Sequence, residues 1–221
     1  YNSLDGFRGS ISQGWSTNWE VTLTDHGTGS FILTPDDALT VRFGDGRTVT
    51  FRYSPTYGTY VPDEHFGHFA KLERDMPSTG EYRVTTKGGV KYVFNSDGRI
   101  TSISDAHSPA NTITFTYTSG LLTSIEDSAG RDTTLAYDNR NRLETVTDPA
   151  TNTYTLTYQT VTGGDASFGK LEFVQFNGAP STTKWKFEYH TENDSSTEKL
   201  KNLISKLYTP RGRAHLRQFG L

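Results

Sequence analysis

The sequence predicts an all-β chain, a meandering antiparallel sheet of stacked β-hairpins, and three observations predict it. Apolar and hydroxyl residues alternate over short runs, with Ile113, Phe115 and Tyr117 set against Thr112, Thr114 and Thr116. That period of two puts one row of side chains inward and one outward. The runs are separated by Gly-, Asp- and Asn-bearing clusters that supply the positive φ a tight hairpin turn demands. The whole phrase also recurs: Ile100, Leu122 and Leu143 fall 22 and 21 residues apart, as do Asp105, Asp127 and Asp148. A fixed period of that length marks a repeat architecture whose unit is one hairpin.

Taken in order, residues 1–80 read as an irregular β entry segment and residues 81–221 as the hairpin repeats, one architectural unit with no linker-like composition between them. In the entry segment, residues 19–24 and 30–34 alternate, and a hairpin runs from Leu39, Val41 and Phe43 through Asp45-Gly46-Arg47 to Val49, Phe51 and Tyr53. The Pro- and Gly-bearing stretch 54–69 reads as loop. The first clear repeat is Val90, Tyr92 and Phe94, the turn Asn95-Ser96-Asp97-Gly98-Arg99, then Ile100, Ile103 and Asp105. The second runs from Ile113, Phe115 and Tyr117 through Gly120 to Leu121, Leu122, Ile125 and Asp127. The third is Leu135 and Tyr137, the turn from Asp138 to Arg142 with Asn141 in the left-handed position, then Leu143, Val146 and Asp148. A fourth opens with Tyr154, Leu156 and Tyr158. Strands around Leu171 to Val174, Trp185 to Tyr189 and Leu203 to Tyr208 continue the series, and Thr209-Pro210-Arg211-Gly212-Arg213 aligns with Asp127-Ser128-Ala129-Gly130-Arg131. Two polar insertions, 160–167 and 191–199, read as solvent loops at hairpin tips.

The phrase aromatic-Asp-x-x-Gly-Arg-Leu followed by an alternating strand resembles the YD repeat of RHS proteins. It is carried by residues 95–100, by Tyr137-Asp138 with Arg142-Leu143, and by Asp127 with Gly130-Arg131. The opening, Tyr1-Asn2-Ser3-Leu4-Asp5-Gly6 with Gly14-Trp15-Ser16, is similar to the segment that introduces the RHS core in wall-associated and polymorphic toxin proteins. The resemblance covers nearly the whole chain. It implies a strip of a spiral β-shell, a ribbon of hairpins that encloses or presents a C-terminal toxin or effector, with insecticidal toxin complexes and teneurins as architectural relatives. It further implies a secreted or cell-surface bacterial setting. The partners it implies are the remaining RHS repeats and the enclosed toxin of the parent chain. A chain that starts without methionine and holds only Met76 fits a piece of something longer.

Candidate sites are few. Tyr92, Phe94, Phe115, Tyr117, Tyr137, Tyr154 and Tyr158 are expected to be a packing ladder, since cross-strand aromatic pairs stabilise sheets. The turn set Asp97, Arg99, Asp105, Asp127, Arg131, Asp138, Arg142 and Asp148 is too dilute for a calcium loop, and is expected to cap turns and form Asp–Arg ladders between repeats. Asp63, Glu64, His65 and His68 form the densest polar cluster, a weak candidate for a divalent metal lacking a third identifiable ligand next to its two imidazoles. No cofactor is expected. Asp148-Pro149, the one Asp-Pro, sits in phase with a repeat turn and reads as turn chemistry rather than a self-cleavage motif. An alternative function, a cell-surface carbohydrate-binding or adhesion module, would rest on Trp15, Trp19 and Trp185.

Charge and composition narrow the classes. Twenty-two basic and 25 acidic residues give a net charge of -3 without a basic stripe, so no nucleic-acid partner is expected. No apolar run approaches the roughly 20 residues of a membrane-spanning helix, and no membrane insertion is expected. The absence of cysteine excludes disulfides, zinc–thiolate sites and thiol nucleophiles. No Gly-x-Ser-x-Gly elbow or phosphate-cradling loop is present. The reading is therefore a non-enzymatic scaffold.

Overall fold

The computed structural model describes residues 7–12, 14–27, 37–63, 69–75, 79–160, 169–176, 184–189, 204–209 and 212–214. Among them there is no helix, and the strands follow one another in chain order. They are β1 (Thr22–Asp25), β2 (Ala38–Arg42), β3 (Thr48–Ser54), β4 (Thr59–Pro62), β5 (Phe69–Arg74), β6 (Tyr82–Thr86), β7 (Lys91–Phe94), β8 (Ile100–Ser104), β9 (Thr112–Thr118) and β10 (Leu121–Glu126). After these come β11 (Asp132–Tyr137), β12 (Leu143–Thr147), β13 (Thr153–Tyr158), β14 (Leu171–Phe176), β15 (Lys184–Tyr189), β16 (Ile204–Thr209) and β17 (Gly212–Ala214). The chain divides into two compact units, one of Thr17–Asp132 and one of Tyr1–Ser16 with Thr133–Leu221.

In the first of these, β1 to β10 form an antiparallel meander, each strand paired with the next. Alternation is strict on the inner face: Leu39, Val41, Val49, Phe51, Leu72, Val84, Phe94 and Ile100 are fully buried, and Tyr60 and Tyr82 nearly so. The strip curls, because the free edge of β1 meets the turn between β7 and β8. Leu23 N–H donates to the Gly98 carbonyl at 2.8 Å, and Thr22 bridges Arg99. Gly98 is required there twice over. Its φ is +75°, and a Cβ would fall 3.0 Å from the Leu23 carbonyl carbon and nearer still to its oxygen.

The other unit is a second meander, β11 to β17, with each strand paired antiparallel to the next. Each strand from β11 to β14 buries a single aliphatic residue near its centre or start: Leu135, Leu143, Leu156 and Leu171. The opening segment lies against this unit. Ser10 C=O accepts from Leu143 N–H at 2.6 Å, and Ile11 is buried.

The stretch 54–69, read from sequence as loop, holds β4. Pro55 and Gly58 belong to the turn 54–58, where Gly58 has a φ of +61°, while Thr59, Tyr60 and Val61 are β-branched or aromatic and continue the sheet. Tyr60 stands opposite Tyr53 in register and is 3% exposed. The other predicted hairpins are found, with β1 starting later than residue 19. The predicted strand 30–34, most of the insertion 160–167, all of 191–199 and the end of the chain after residue 214 lie outside the described residues.

Candidate functional site

The recurring functional element is a five-residue turn built the same way six times among the described residues, at 43–47, 86–90, 95–99, 127–131, 138–142 and 148–152. In each, the first residue's N–H donates to the fifth residue's carbonyl and its own carbonyl accepts from the fourth residue's N–H, at 2.8 to 3.0 Å. The fourth residue is left-handed in every copy: Gly46, Gly89, Gly98, Gly130, Asn141 and Thr151. This is a type I turn closed by a left-handed residue, the three-residue hairpin loop with a bulge.

Where the first residue is Asn or Asp, its side chain ties the loop from inside. Asn95 Oδ1 accepts from the N–H groups of Asp97 and Arg99, Asp127 from Ala129 and Arg131, Asp138 from Arg140 and Arg142, and Asp148 from Ala150 and Asn152. The carboxylates are correspondingly stabilised in their charged form. Asp127 is held low chiefly by the Arg131 side chain and Asp148 chiefly by Asn152. At Asp138, burial is the largest single influence and pushes upward, but the backbone and side chain of Arg142 with the N–H of Arg140 outweigh it. Asp105 does the same work in a longer loop and is also depressed, first by the Asn111 side chain.

The expectation of Asp–Arg ladders between repeats is corrected by this geometry. Asp127–Arg131, Asp138–Arg142 and Asp97–Arg99 each pair within one turn. At Asp127 and Asp138 the carboxylate is already fixed by the loop's own N–H groups and the fifth residue emerges beside it, while Asp97 pairs with the fifth residue of a loop that Asn95 ties. What joins one repeat to the next is an aromatic ring set over the cation. Arg99 lies 5.9 Å from the ring centre of Tyr117, Arg142 4.2 Å from Tyr158, and Lys170 5.0 Å from Tyr189. The hydroxyls complete the clamp: Tyr158 donates to Leu143 C=O at 2.5 Å and Tyr189 to Leu171 C=O at 2.8 Å. Burial, opposed by Arg99, pushes the Tyr117 phenol up to about 12. Each aromatic in turn faces the next buried aliphatic across a pair at or beside a register shift, Phe94 with Ile100, Tyr117 with Leu122, Tyr137 with Leu143 and Tyr158 with Leu171.

The aromatic ladder is thus real but only partly buried: Phe94 and Phe115 are core, and Tyr92, Tyr117, Tyr137, Tyr154 and Tyr158 are half-buried. Trp15 extends the clamp. Its Nε1 donates to the Tyr189 hydroxyl at 3.1 Å and its ring meets Phe187 edge-on at 4.9 Å. Trp185, in the same unit, is 36% exposed opposite Val174; Trp19, in the other, is half-buried. Of the metal candidates, Asp63 pairs with Arg52 at 2.8 Å, and Glu64, His65 and His68 lie outside the described residues. Among the described residues no group of three His, Asp or Glu side chains converges as a metal site.

A family model described as the teneurin YD-shell matches residues 79–218, well over half of the chain. The chain belongs to the YD-shell family. No curated protein matches it. Membership explains the repeated turn: a YD-shell is a structural scaffold, and in this YD-shell chain the Asp of Tyr137-Asp138 ties its loop while Tyr137 faces Leu143 across the register shift. The match takes in the turns from 86–90 onward, while 43–47 precedes it with the same backbone. Phe43 there has no side-chain acceptor, and Asp45 Oδ1 takes the Arg47 N–H instead.

The entry unit carries one further constellation. Asp25 Oδ2 accepts from the Tyr82 hydroxyl at 2.9 Å and pairs with Arg74 Nη1 at 3.2 Å, with Arg74 over the Tyr82 ring at 5.2 Å. Burial first, then Asp25, pushes Tyr82 up to about 12, and burial first, then Asp37, raises Tyr60. Beside it opens a cleft of about 700 Å³ lined by residues of the 54–58 turn, β4 and β5. Asp25, Arg74 and Tyr82 were not singled out from sequence, and β4 with the start of β5 fell in the stretch read as loop.

Proposed function

We propose that this chain is a segment of a shell wall that encloses or presents a toxin or effector encoded in the same parent protein, at the bacterial surface or outside the cell. Its role is non-catalytic. The observation that carries the reading is the cation–tyrosine clamp, which recurs from repeat to repeat and lets hairpins be added without limit. A two-stranded hairpin is marginal alone, whereas a stack in which each repeat contacts only its neighbours grows by a constant increment. Such a wall can be extended until it surrounds a cargo. Its partners are then further repeats of the same chain and the enclosed domain.

The test uses the full parent protein. Its downstream region is expected to resist proteinase K while the repeats are intact, and to become cleavable in a parent carrying Gly98→Ala with Arg142→Ala. Equal cleavage of that region in both proteins, with the repeats of the unaltered parent still protected, would count against enclosure.

A further inference from the structure

We propose that the cleft between the 54–58 turn, β4 and β5 is a carbohydrate-binding site that takes an uncharged sugar ring. Unlike the shell reading, the proposal does not depend on any cargo. Three features of the cleft argue for it.

The first is the origin of the cleft. β3 and β4 share four register pairs and β5 and β6 share five, but β4 and β5 are joined at one, Tyr60 opposite Leu72, supplemented by the Thr59 hydroxyl donating to Leu72 C=O at 2.8 Å. The pairing is sparse there, and the space beside it is within the range of small-molecule sites, roughly 300–1,000 Å³.

The second is the aromatic wall. Tyr57 is 73% exposed, the most exposed large hydrophobic side chain among the described residues, and stands on a turn fixed by Tyr57 N–H and Gly58 N–H donating to Ser54 C=O. Tyr53 and Tyr60 lie behind it, edge to face at 5.5 Å. A phenol ring held in water over a cleft offers an apolar face with a polar rim, which matches the C–H face and hydroxyl edge of a pyranose.

The third is the charge pattern. The cleft contains Lys71, Glu73 and Arg74, but Lys71 Nζ pairs with Glu73 at 2.7 Å and Arg74 with Asp25 at 3.2 Å. The charges are neutralised in place, which disfavours a phosphate or carboxylate ligand. The Lys71–Glu73 pair is about two-fifths exposed on both sides and keeps spare donors and acceptors. An adjacent ammonium and carboxylate suit the paired donor and acceptor of vicinal hydroxyls.

The experiment is calorimetric titration of the 221-residue chain with cellotetraose, chitotetraose, maltotetraose and mannotetraose. At least one is expected to bind with a Kd of about 1 mM or tighter. Tyr57→Ala and Glu73→Gln are each expected to weaken it about tenfold or more, with circular dichroism and melting temperature unchanged. Both side chains are exposed, so the fold does not rest on them. Trp185→Ala is expected to leave binding intact. The proposal is overturned if none of the four sugars gives heat, if binding survives both cleft substitutions, or if only Trp185→Ala abolishes it.

Discussion

Gly98 and Gly130 occupy the same position of the same turn, with φ of +75° and +73°, and replacing each with alanine separates the cost of the backbone conformation from the cost of the curl. An L-residue in the left-handed region loses about 1–2 kcal/mol, and that is all Gly130→Ala should cost, because nothing lies within 4 Å of its Cβ. At Gly98 the methyl would strike the Leu23 backbone, so β1 and the 95–99 turn must separate. The 2.8 Å bond from Leu23 N–H to Gly98 C=O is lost, leaving groups at a 5% exposed residue without partners, a cost of about 1–3 kcal/mol. Displacement of Leu23 from a close-packed core adds about 1–3 kcal/mol more. Gly98→Ala should therefore destabilise by about 3–8 kcal/mol against about 1–2 for Gly130→Ala. Urea unfolding followed by circular dichroism measures both, and amide exchange at Leu23 should accelerate in Gly98→Ala alone. Equal losses, or a protected Leu23 amide in Gly98→Ala, would refute the claim that β1 closes the curl through this glycine.

Three further outcomes are expected. Arg142→Lys breaks the contact of two guanidinium nitrogens with Asp138 Oδ2, both side chains about 15% exposed, and the stack on Tyr158; it should cost about 2 kcal/mol. Arg131→Lys, whose side chain is 67% exposed, should cost under about 1 kcal/mol, and equal urea midpoints for the two variants would contradict the clamp. Thr151 is a β-branched residue at φ +67° where two other Asx-tied copies have glycine, so Thr151→Gly should raise stability by about 0.5–1 kcal/mol, strain relief exceeding the added chain entropy. A fall in melting temperature would speak against that. Finally, Asp105, Asp127, Asp138 and Asp148 all have lowered pKa values in the fold, so the unfolded chain takes up protons first on acidification. Their contribution is complete above the ordinary carboxylate value of 3.8 and declines as pH falls below it through the lowered values. The urea midpoint should hold between pH 7 and 5 and drop by pH 3, and a midpoint that stays constant to pH 3 would exclude the carboxylate ties as a source of stability.

The turns were legible because everything they need is local. A left-handed residue, an Asx three positions before it and flanking alternation are all visible within a single copy, so 95–99, 127–131 and 138–142 could be placed from residue types alone, and Asp148-Pro149 recognised as turn chemistry. The clamp was not legible, although Arg99, Tyr117, Arg142, Tyr158 and Tyr189 were named. Arg142 and Tyr158 are 16 residues apart and Lys170 and Tyr189 are 19, separations fixed by how many residues each strand and loop consumes. Nearest-neighbour charge reasoning paired arginine with aspartate across repeats, when the aspartate was already saturated by its own loop. β4 was missed for a related reason: Pro55, Gly58 and Pro62 dominate the local composition, and what overrides them is the partner Tyr53, one strand earlier.

Trp15 shows how the opening segment fits the same logic. Tyr189 donates to Leu171 C=O as Tyr158 donates to Leu143 C=O, but its oxygen also accepts from Trp15, and the Leu143 N–H is taken by Ser10 C=O. Residues 10 and 15 therefore reach two successive clamps, the backbone of the one at 142–143 and the ring of the one at 170–171. A strap laid across neighbouring repeats restrains their relative rotation, which pairwise stacking alone leaves soft because each repeat contacts only the next. Stiffness of the wall in this unit is then a property of the segment before the repeats as much as of the repeats themselves. Trp15→Phe, which keeps the edge contact with Phe187 and removes only the indole donor, should loosen the Tyr189 end of the unit while leaving the Asp138–Arg142 turn unchanged. Amide exchange read separately in β12 and β15 distinguishes that from uniform destabilisation, and equal acceleration in both strands would show that the segment acts as ordinary core packing rather than as a strap.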